Sequence, residues 1–351
     1  MNLLIITQKA DRDDPILGFF HRWIVEFSRH FDAVTVICLE EGKHDLPANV
    51  KVFSLGKEKG ASKAASMLRF FQLITAERSR YDAVFVHMNP IYIVLAAPLW
   101  KLWGKKIFLW YTHRAVDLKL RIAAACADRI FTASERSFNL PSPKVIVTGH
   151  GIDASAFSSV ARTKAFGAEP LKIVSVGRIT PIKDPITLIK AASLLKKRLT
   201  KKIKVTFVGG PVTEADKAYA EKVRAQVASS GLNEEVAFIG DISPVQMPNV
   251  YKDVDFAVNL TPTGGIDKVV LEAMAAGIPV FTSNEAFRPY FNEYADRLIF
   301  THADPADLAN KIEAVMKNGS SASIGAYLQG VVKEKADIAA LIGKISDEIR
   351  S

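Results

Sequence analysis

The stretch LKIVSVGRITPIKDPITLIKAASLL, residues 171–195, reads as a strand, a loop and a helix in succession. Leu171 to Val176 is short and rich in β-branched residues, and Gly177 closes it, which suits a buried strand. Asp184 followed by Pro185 fits an N-cap and first helical position. The carboxylate can accept a free amide of the first turn, and proline gives up no needed N–H there. Arg178 and Lys183 lie in the loop between.

The same alternation runs outward in both directions. Ahead of it, the strand candidates are NLLIIT, AVTVIC, VKVFSL, DAVFVH, KIFLWY, RIFTAS and KVIVTG. From residue 171 on they are LKIVSVG, IKVTFVG, EVAFIG, DFAVNL, IPVFTS and RLIF. Helical patterns separate them, such as GFFHRWIVEFSRH, EADKAYAEKVRAQVASS and PADLANKIEAVMKN. Short apolar strands interleaved with helices define βαβ units and an α/β class built on mainly parallel sheets. The pattern weakens at residues 154–170, which are small, polar and mixed, and read as a linker. The expected organisation is an N-terminal Rossmann-like domain over 1–165 and a C-terminal one over 166–325. The segment 326–351 is helical by pattern and is read as packing back toward the N-terminal domain. In such sheets ligands bind beyond the carboxyl ends of the strands, so chemistry belongs in those loops and in the cleft between two domains.

Composition narrows the class. The 351 residues carry a formal net charge of +9, with 49% hydrophobic and 24% charged residues, an ordinary globular make-up. The excess is +7 up to Pro170 and +2 after it. A basic N-terminal half suits an anionic partner or is simply a solvated surface. No zinc-finger spacing or basic-aromatic signature marks a nucleic-acid module. Cys38 and Cys126 read as core thiols. The longest apolar run, PIYIVLAAPLWKLWGKKIFLWY, is broken by Pro98, Lys101 and Gly104-Lys105-Lys106, too early for a membrane span. MNLLIIT reads as a first core strand, and a cytoplasmic location is expected.

A second stretch carries more chemistry: TPTGGIDKVVLEAMAAGIPVF, residues 261–281. Gly264-Gly265 permit a tight turn, and Asp267 is placed to cap the helix that follows. Glu272 sits inside that helix among Val269, Val270, Leu271, Ala273, Met274, Ala275 and Ala276. A carboxylate there loses hydration unless donors replace it. Ribose hydroxyls would serve, and so would an internal Lys or Arg. For Arg178 and Lys183, two cations ahead of a helix form a natural clamp for a diphosphate; the alternative is two ordinary surface cations.

VGRITPIKD followed about ninety residues later by VVLEAMAAGIPV resembles the donor domain of the retaining family 4 glycosyltransferases, the glycosyl transferases group 1, which have the GT-B fold. VTFVGGP, VAFIGDIS and YKDVDFAVNLTPT fall in the expected order between them, and VTGHGIDASAF resembles the family's segment closing the N-terminal domain, with His150 in place of Asn. The resemblance implies two Rossmann-like domains with parallel sheets facing across a cleft. It implies a metal-independent hexosyltransferase that uses a UDP- or GDP-sugar, with no cofactor, in polysaccharide biosynthesis.

By the same resemblance Arg178 and Lys183 hold the diphosphate, and Glu272 accepts the ribose hydroxyls. The turn Gly265, Ile266, Asp267, Lys268 and Val269 meets sugar and phosphates, and Gly240, Asp241 and Ile242 flank the base. His113, after KIFLWY, lies near the transferred sugar, with Arg114 beside it. Gly18 is the remnant of a glycine-rich loop. His87 and Asn89 either line the acceptor site or bond within their turn. The sequence departs from the pattern at Gly264, where the family has a Glu that contacts the donor sugar; Asp267 or Lys268 is the candidate replacement. That departure keeps two alternatives in view, a non-catalytic nucleotide-sugar or glycan-binding relative and a nucleotide-sugar epimerase on the same fold. The expected partners are a nucleotide-sugar donor and a glycan or lipid-linked acceptor, with no nucleic acid. IYIVLAAPLWKLW is either a buried helix or a peripheral contact with an anionic membrane.

Overall fold

A computed structural model describes the chain apart from Arg114, Val160, Ala161, Thr263 and the side chain of Arg136. It forms two compact units. The first comprises Met1–Gly151, Ser243–Val245 and Ile338–Ser351, and the second Ile152–Ile242 and Gln246–Asp337.

Seven parallel strands make the sheet of the first unit: β1 Leu3–Ala10, β2 Val34–Glu41, β3 Val50–Ser54, β4 Ala83–His87, β5 Lys106–Trp110, β6 Arg129–Thr132 and β7 Val145–Val147. Their order is β3-β2-β1-β4-β5-β6-β7, so the winding reverses between β1 and β4. β1 and β4 are buried along nearly their whole length, because helices cover both faces of a parallel sheet. Both strand neighbours of β1 pair with it in parallel register, Leu3 against Val34 on one side and Ala83 on the other. The last helix, Ile338–Arg350, lies in this unit and packs on the helix Phe19–Ser28. Its Ile342, Ile345 and Ile349 join Trp23, Phe27 and Phe85 in one apolar cluster. The helical C-terminal segment is thus two helices, Ser321–Lys335 and Ile338–Arg350, one in each unit.

Five parallel strands make the second sheet, in the order β10-β9-β8-β11-β12: β8 Leu171–Val176, β9 Ile203–Val208, β10 Val236–Phe238, β11 Phe256–Asn259 and β12 Val280–Thr282. Here the winding reverses between β8 and β11. RLIF is not a sixth strand. Ala295–Leu298 is a helical turn, and Ile299 makes a single bridge to Thr282. Three apolar residues after an arginine cannot by themselves distinguish the two states.

The described residues of the polar stretch 154–170 lie within the second unit and are tied down. Ala154–Ser158 is helical, with Asp153 accepting the Ala156 amide at 3.2 Å. Arg162 then pairs with Asp255 at 2.6 Å, and Asp253 accepts the amides of Thr163 and Lys164 at 2.7 and 3.0 Å. Small polar residues leave these amides free for carboxylates distant in sequence, which composition does not reveal.

IYIVLAAPLWKLW is core. In the helix Ile91–Leu102, Tyr92, Ile93, Ala96, Ala97 and Trp100 are buried, while Lys101 and Leu102 are exposed. No helix among the described residues is long and apolar enough to cross a membrane. Cys38 is buried and its thiol is pushed up to about 12 by burial.

Replacing Ile345 by Ala removes a fully buried side chain between the terminal helix and its neighbours. It should lower stability by about 2–5 kcal/mol, read as a lower urea midpoint.

Candidate functional site

The loops beyond β8, β9 and β10 are stitched together through glycines. The Gly209 amide donates to the Gly240 carbonyl at 2.7 Å, and the Ile179 amide to the Gly210 carbonyl at 3.1 Å. A Cβ on Gly209 would stand 2.3 Å from the Gly177 carbonyl oxygen, and Gly209 has φ +115°, so only glycine fits. Asp241 accepts the Gly210 amide at 3.1 Å. Gly240 and Asp241 therefore shape the loop floor with their own bonds, while Ile242 packs against the apolar core of the unit.

Arg178 and Lys183 leave this floor from the loop after β8, and both line one small cavity of about 10 Å³ with Gly177 and Asn259. Arg178 is exposed and forms no ion pair or hydrogen bond among the described residues. Asp184 caps the helix Pro185–Arg198 as its sequence indicates, accepting the Thr187 hydroxyl at 2.6 Å and, more weakly, its amide at 3.4 Å. That cap fixes where Lys183 emerges.

Lys183 is engaged. Its ammonium donates to Thr261 Oγ1 at 2.8 Å and to Asp267 Oδ2 at 3.0 Å. The expected role of Asp267 as a helix cap is corrected here, because its side chain makes no cap bond to the helix Lys268–Ala275. It turns instead toward Lys183 and Asn259, whose Nδ2 donates to it at 2.8 Å. Burial raises the Asp267 pKa, but the Lys183 charge and the bonds from Thr261 and Asn259 outweigh it and hold the carboxyl below the usual range. A nearby cation wins over a free helix amide because it offers charge as well as a hydrogen bond.

Polar contacts continue across the ends of β11 and β12. Thr282 Oγ1 donates to Asn259 Oδ1 at 3.1 Å and accepts the Asn284 amide at 3.1 Å. Asn284 is fully buried and holds the glycine turn from both sides. It accepts the Gly264 amide at 3.3 Å and donates to the Gly265 carbonyl at 2.9 Å. Sequence reading missed Asn259, Thr261 and Asn284. The available signal was a polar residue closing an apolar strand, as in DFAVN and PVFTSN.

Glu272 is buried in the helix Lys268–Ala275, as its neighbours dictate, and pairs with Lys268 one turn earlier at 3.4 Å. Burial raises its pKa, and Lys268 only partly offsets this. Of the two donors open from sequence, an internal lysine is the one in contact. Tyr251 donates its buried hydroxyl to the Val269 carbonyl at 3.1 Å, and Ile266 packs on the core, so this turn is anchored beneath as well.

In the first unit, His113 is exposed three residues beyond β5, with the Tyr111 ring at 6.0 Å. Arg114 lies outside the described residues. Gly18 has φ −59° and precedes the helix Phe19–Ser28; a Cβ there would meet the Asp14 carbonyl at 2.5 Å, so close approach explains the glycine. His87 does not line a surface. It is buried, stacks on Phe20 at 3.9 Å, and lies 3.2 Å from Thr7 Oγ1. Burial, then the nearby His150, pushes its pKa down to about 3, so it stays neutral. Asn89 donates to Gln8 at 3.1 Å. The first unit also holds a groove of about 500 Å³ between the end of β3 and the helix Lys63–Ala76, lined by Leu55, Lys59, Arg69 and Gln72 among others.

Comparison with solved structures defines the class: this is a GT-B fold. Anabaena Alr3699/HepE in complex with UDP superposes with a TM-score of 0.77 at 15% identity, covering 100% of both chains. Its complex with UDP-glucose gives 0.76 at 15% identity over 99% of each chain. Residues 160–328 match the glycosyl transferases group 1 family. D-inositol 3-phosphate glycosyltransferase from Mycobacterium sp. (strain JLS) is 27% identical over 207 residues, 55% of this chain and 46% of that protein. Its counterpart from Nocardia farcinica is 27% identical over 150 residues, 42% and 33% of the two chains. The chain thus aligns with half or less of the length of these curated relatives.

Because the folded-state pKa of Glu272 is raised, its charged form is disfavoured by folding, a cost present at neutral pH and gone once the group is protonated in both states. Glu272→Gln should therefore raise the melting temperature at pH 7 and leave it unchanged near pH 4.

Proposed function

We propose that the chain transfers a hexose from a nucleoside diphosphate sugar to a hydroxyl of a glycan or lipid-linked acceptor, with retention of configuration and without a metal. The observation that carries this reading is the pairing of Arg178 and Lys183 at one cavity beyond β8, beside the point where the second sheet reverses its winding, within the span that matches group 1 glycosyltransferases. Relatives of the same fold that hold UDP and UDP-glucose support a uridine nucleotide as the first donor to try.

In this reading the bond from the anomeric carbon to the phosphate oxygen breaks, and the acceptor oxygen forms the new bond on the same face. The acceptor proton passes to the departing phosphate, so no carboxylate base is required. Charge grows on the diphosphate as the bond breaks, and Arg178 and Lys183 are the groups that would stabilise it. Glu272 would exchange Lys268 for ribose hydroxyls, and His113 would position the sugar. Epimerisation of the sugar without acceptor would favour the epimerase reading, and nucleotide binding with neither transfer nor hydrolysis the non-catalytic one.

The acceptor side rests on the first unit. Lys59 and Arg69 line its groove, and among the described residues neither is ion-paired. On the adjoining helix Lys63–Ala76, Met67 and Leu68 are 46% and 62% exposed beside Lys63 and Arg69, which supports an anionic or lipid-linked acceptor. Binding to anionic vesicles at low salt that vanishes at high salt is expected; no binding at either salt would remove the lipid surface from the reading.

Arg178→Ala and Lys183→Ala should each lower kcat/KM with the true donor by about a hundredfold or more. Near-normal transfer in both would refute the clamp. Glu272→Ala should weaken nucleotide affinity, measured by calorimetry, with a smaller effect on kcat.

A further inference from the structure

Lys183 can offer an anion only one N–H without giving something up. Two of its three N–H bonds go to Thr261 and Asp267. Asp267 reaches this lysine from the far side of the sheet's reversal, having left the adjacent helix uncapped. The side chains of Lys183 and Asp267 are 23% and 26% exposed, so a ligand can reach and separate them. Lys268, in the same turn, is likewise held by Glu272. Lys183 and Lys268 are thus each matched by a carboxylate, while Arg178 forms no ion pair among the described residues.

We propose that Asp267 is a built-in counter-ion for Lys183, displaced when a diphosphate binds, and that it sets how tightly nucleoside diphosphates are held and how fast they leave. This rests on the nucleotide-sugar reading of the same site. A diphosphate offers several anionic oxygens where Asp267 offers one, so it can win the lysine. Once displaced, Asp267 remains beside it, kept charged by Asn259 and Thr261, and repels it. A free nucleoside diphosphate carries one more ionisable phosphate oxygen than its sugar ester. The repulsion therefore weakens the product more than the substrate and speeds release, a common limit on turnover. Asp267 acts here on affinity and release, not on bond breaking.

The test compares wild type, Asp267→Asn, Lys183→Ala and the double variant by calorimetry with UDP, GDP and inorganic pyrophosphate, alongside transfer kinetics. Asp267→Asn should bind the preferred nucleoside diphosphate about fivefold more tightly. It should gain less with the sugar ester and become more sensitive to product inhibition. In the Lys183→Ala background the gain should shrink, because the competition for the lysine is gone. Thermal melts check folding, and Asp267→Gly serves as a second variant if the first fails to melt cooperatively. Unchanged or weaker diphosphate binding in a folded variant overturns the proposal and leaves Asp267 as a residue that merely positions Lys183, with the donor reading intact. Pyrophosphate binding that tightens in Asp267→Asn while wild type ignores every nucleotide would sustain the counter-ion and remove the donor reading. Binding of neither by wild type overturns both.

Discussion

An ammonium group held against a carboxylate, Lys183 on Asp267, ties together the two loops on either side of the reversal in the second sheet. The loop after β8 brings the lysine and the loop after β11 brings the aspartate. A partly exposed pair of this kind is worth little alone, about 0–1 kcal/mol. Its weight here comes from what it is joined to. Asn259 bonds both Asp267 and Thr282, and Thr282 bonds Asn284 in turn, so displacing the aspartate disturbs a run of buried polar groups whose bonds are costly to leave unmade.

That run also accounts for the glycine turn. A side chain at Gly264 would find room, since the nearest atom to its first carbon is the Pro262 carbonyl at 3.7 Å. The glycine is therefore not demanded by crowding. What shapes the turn is the Asn284 amide, which takes the Gly264 N–H and gives its own to the Gly265 carbonyl. The carboxylate that the resemblance leads one to expect at position 264 is absent, and Asp267, three residues later, is spent on a lysine. The turn thus holds a carboxylate at Asp267, and its partner is Lys183.

The first unit is organised by apolar contact instead. Phe20, Trp23 and Trp110 surround the end of the central strands, and His87 sits among them as one more aromatic ring. Polar chemistry is pushed outward, to His113 beyond β5 and to the cations beside β3. A histidine at a strand end looks the same in sequence whether it faces a ligand or a phenylalanine. The covering helix decides which it is, and that helix lies some seventy residues earlier.

The alternation of apolar runs and helical patterns was enough to give twelve of the thirteen strand candidates, since period and β-branching are local properties. The cap at Asp184-Pro185, the loop cations Arg178 and Lys183, and the buried setting of Glu272 were legible for the same reason. Partners were not legible. That Asp267 prefers Lys183 to its own helix, that Asn284 holds a turn twenty residues upstream, and that Asp253 and Asp255 fasten the stretch at 162–167 all depend on which strands lie side by side. Sequence by itself determined the elements, the fold class and the cations on offer. Only the tertiary structure decided which charge meets which, because a hydrogen bond or ion pair needs contact within about 3 Å, and parallel strand order brings distant residues to that distance.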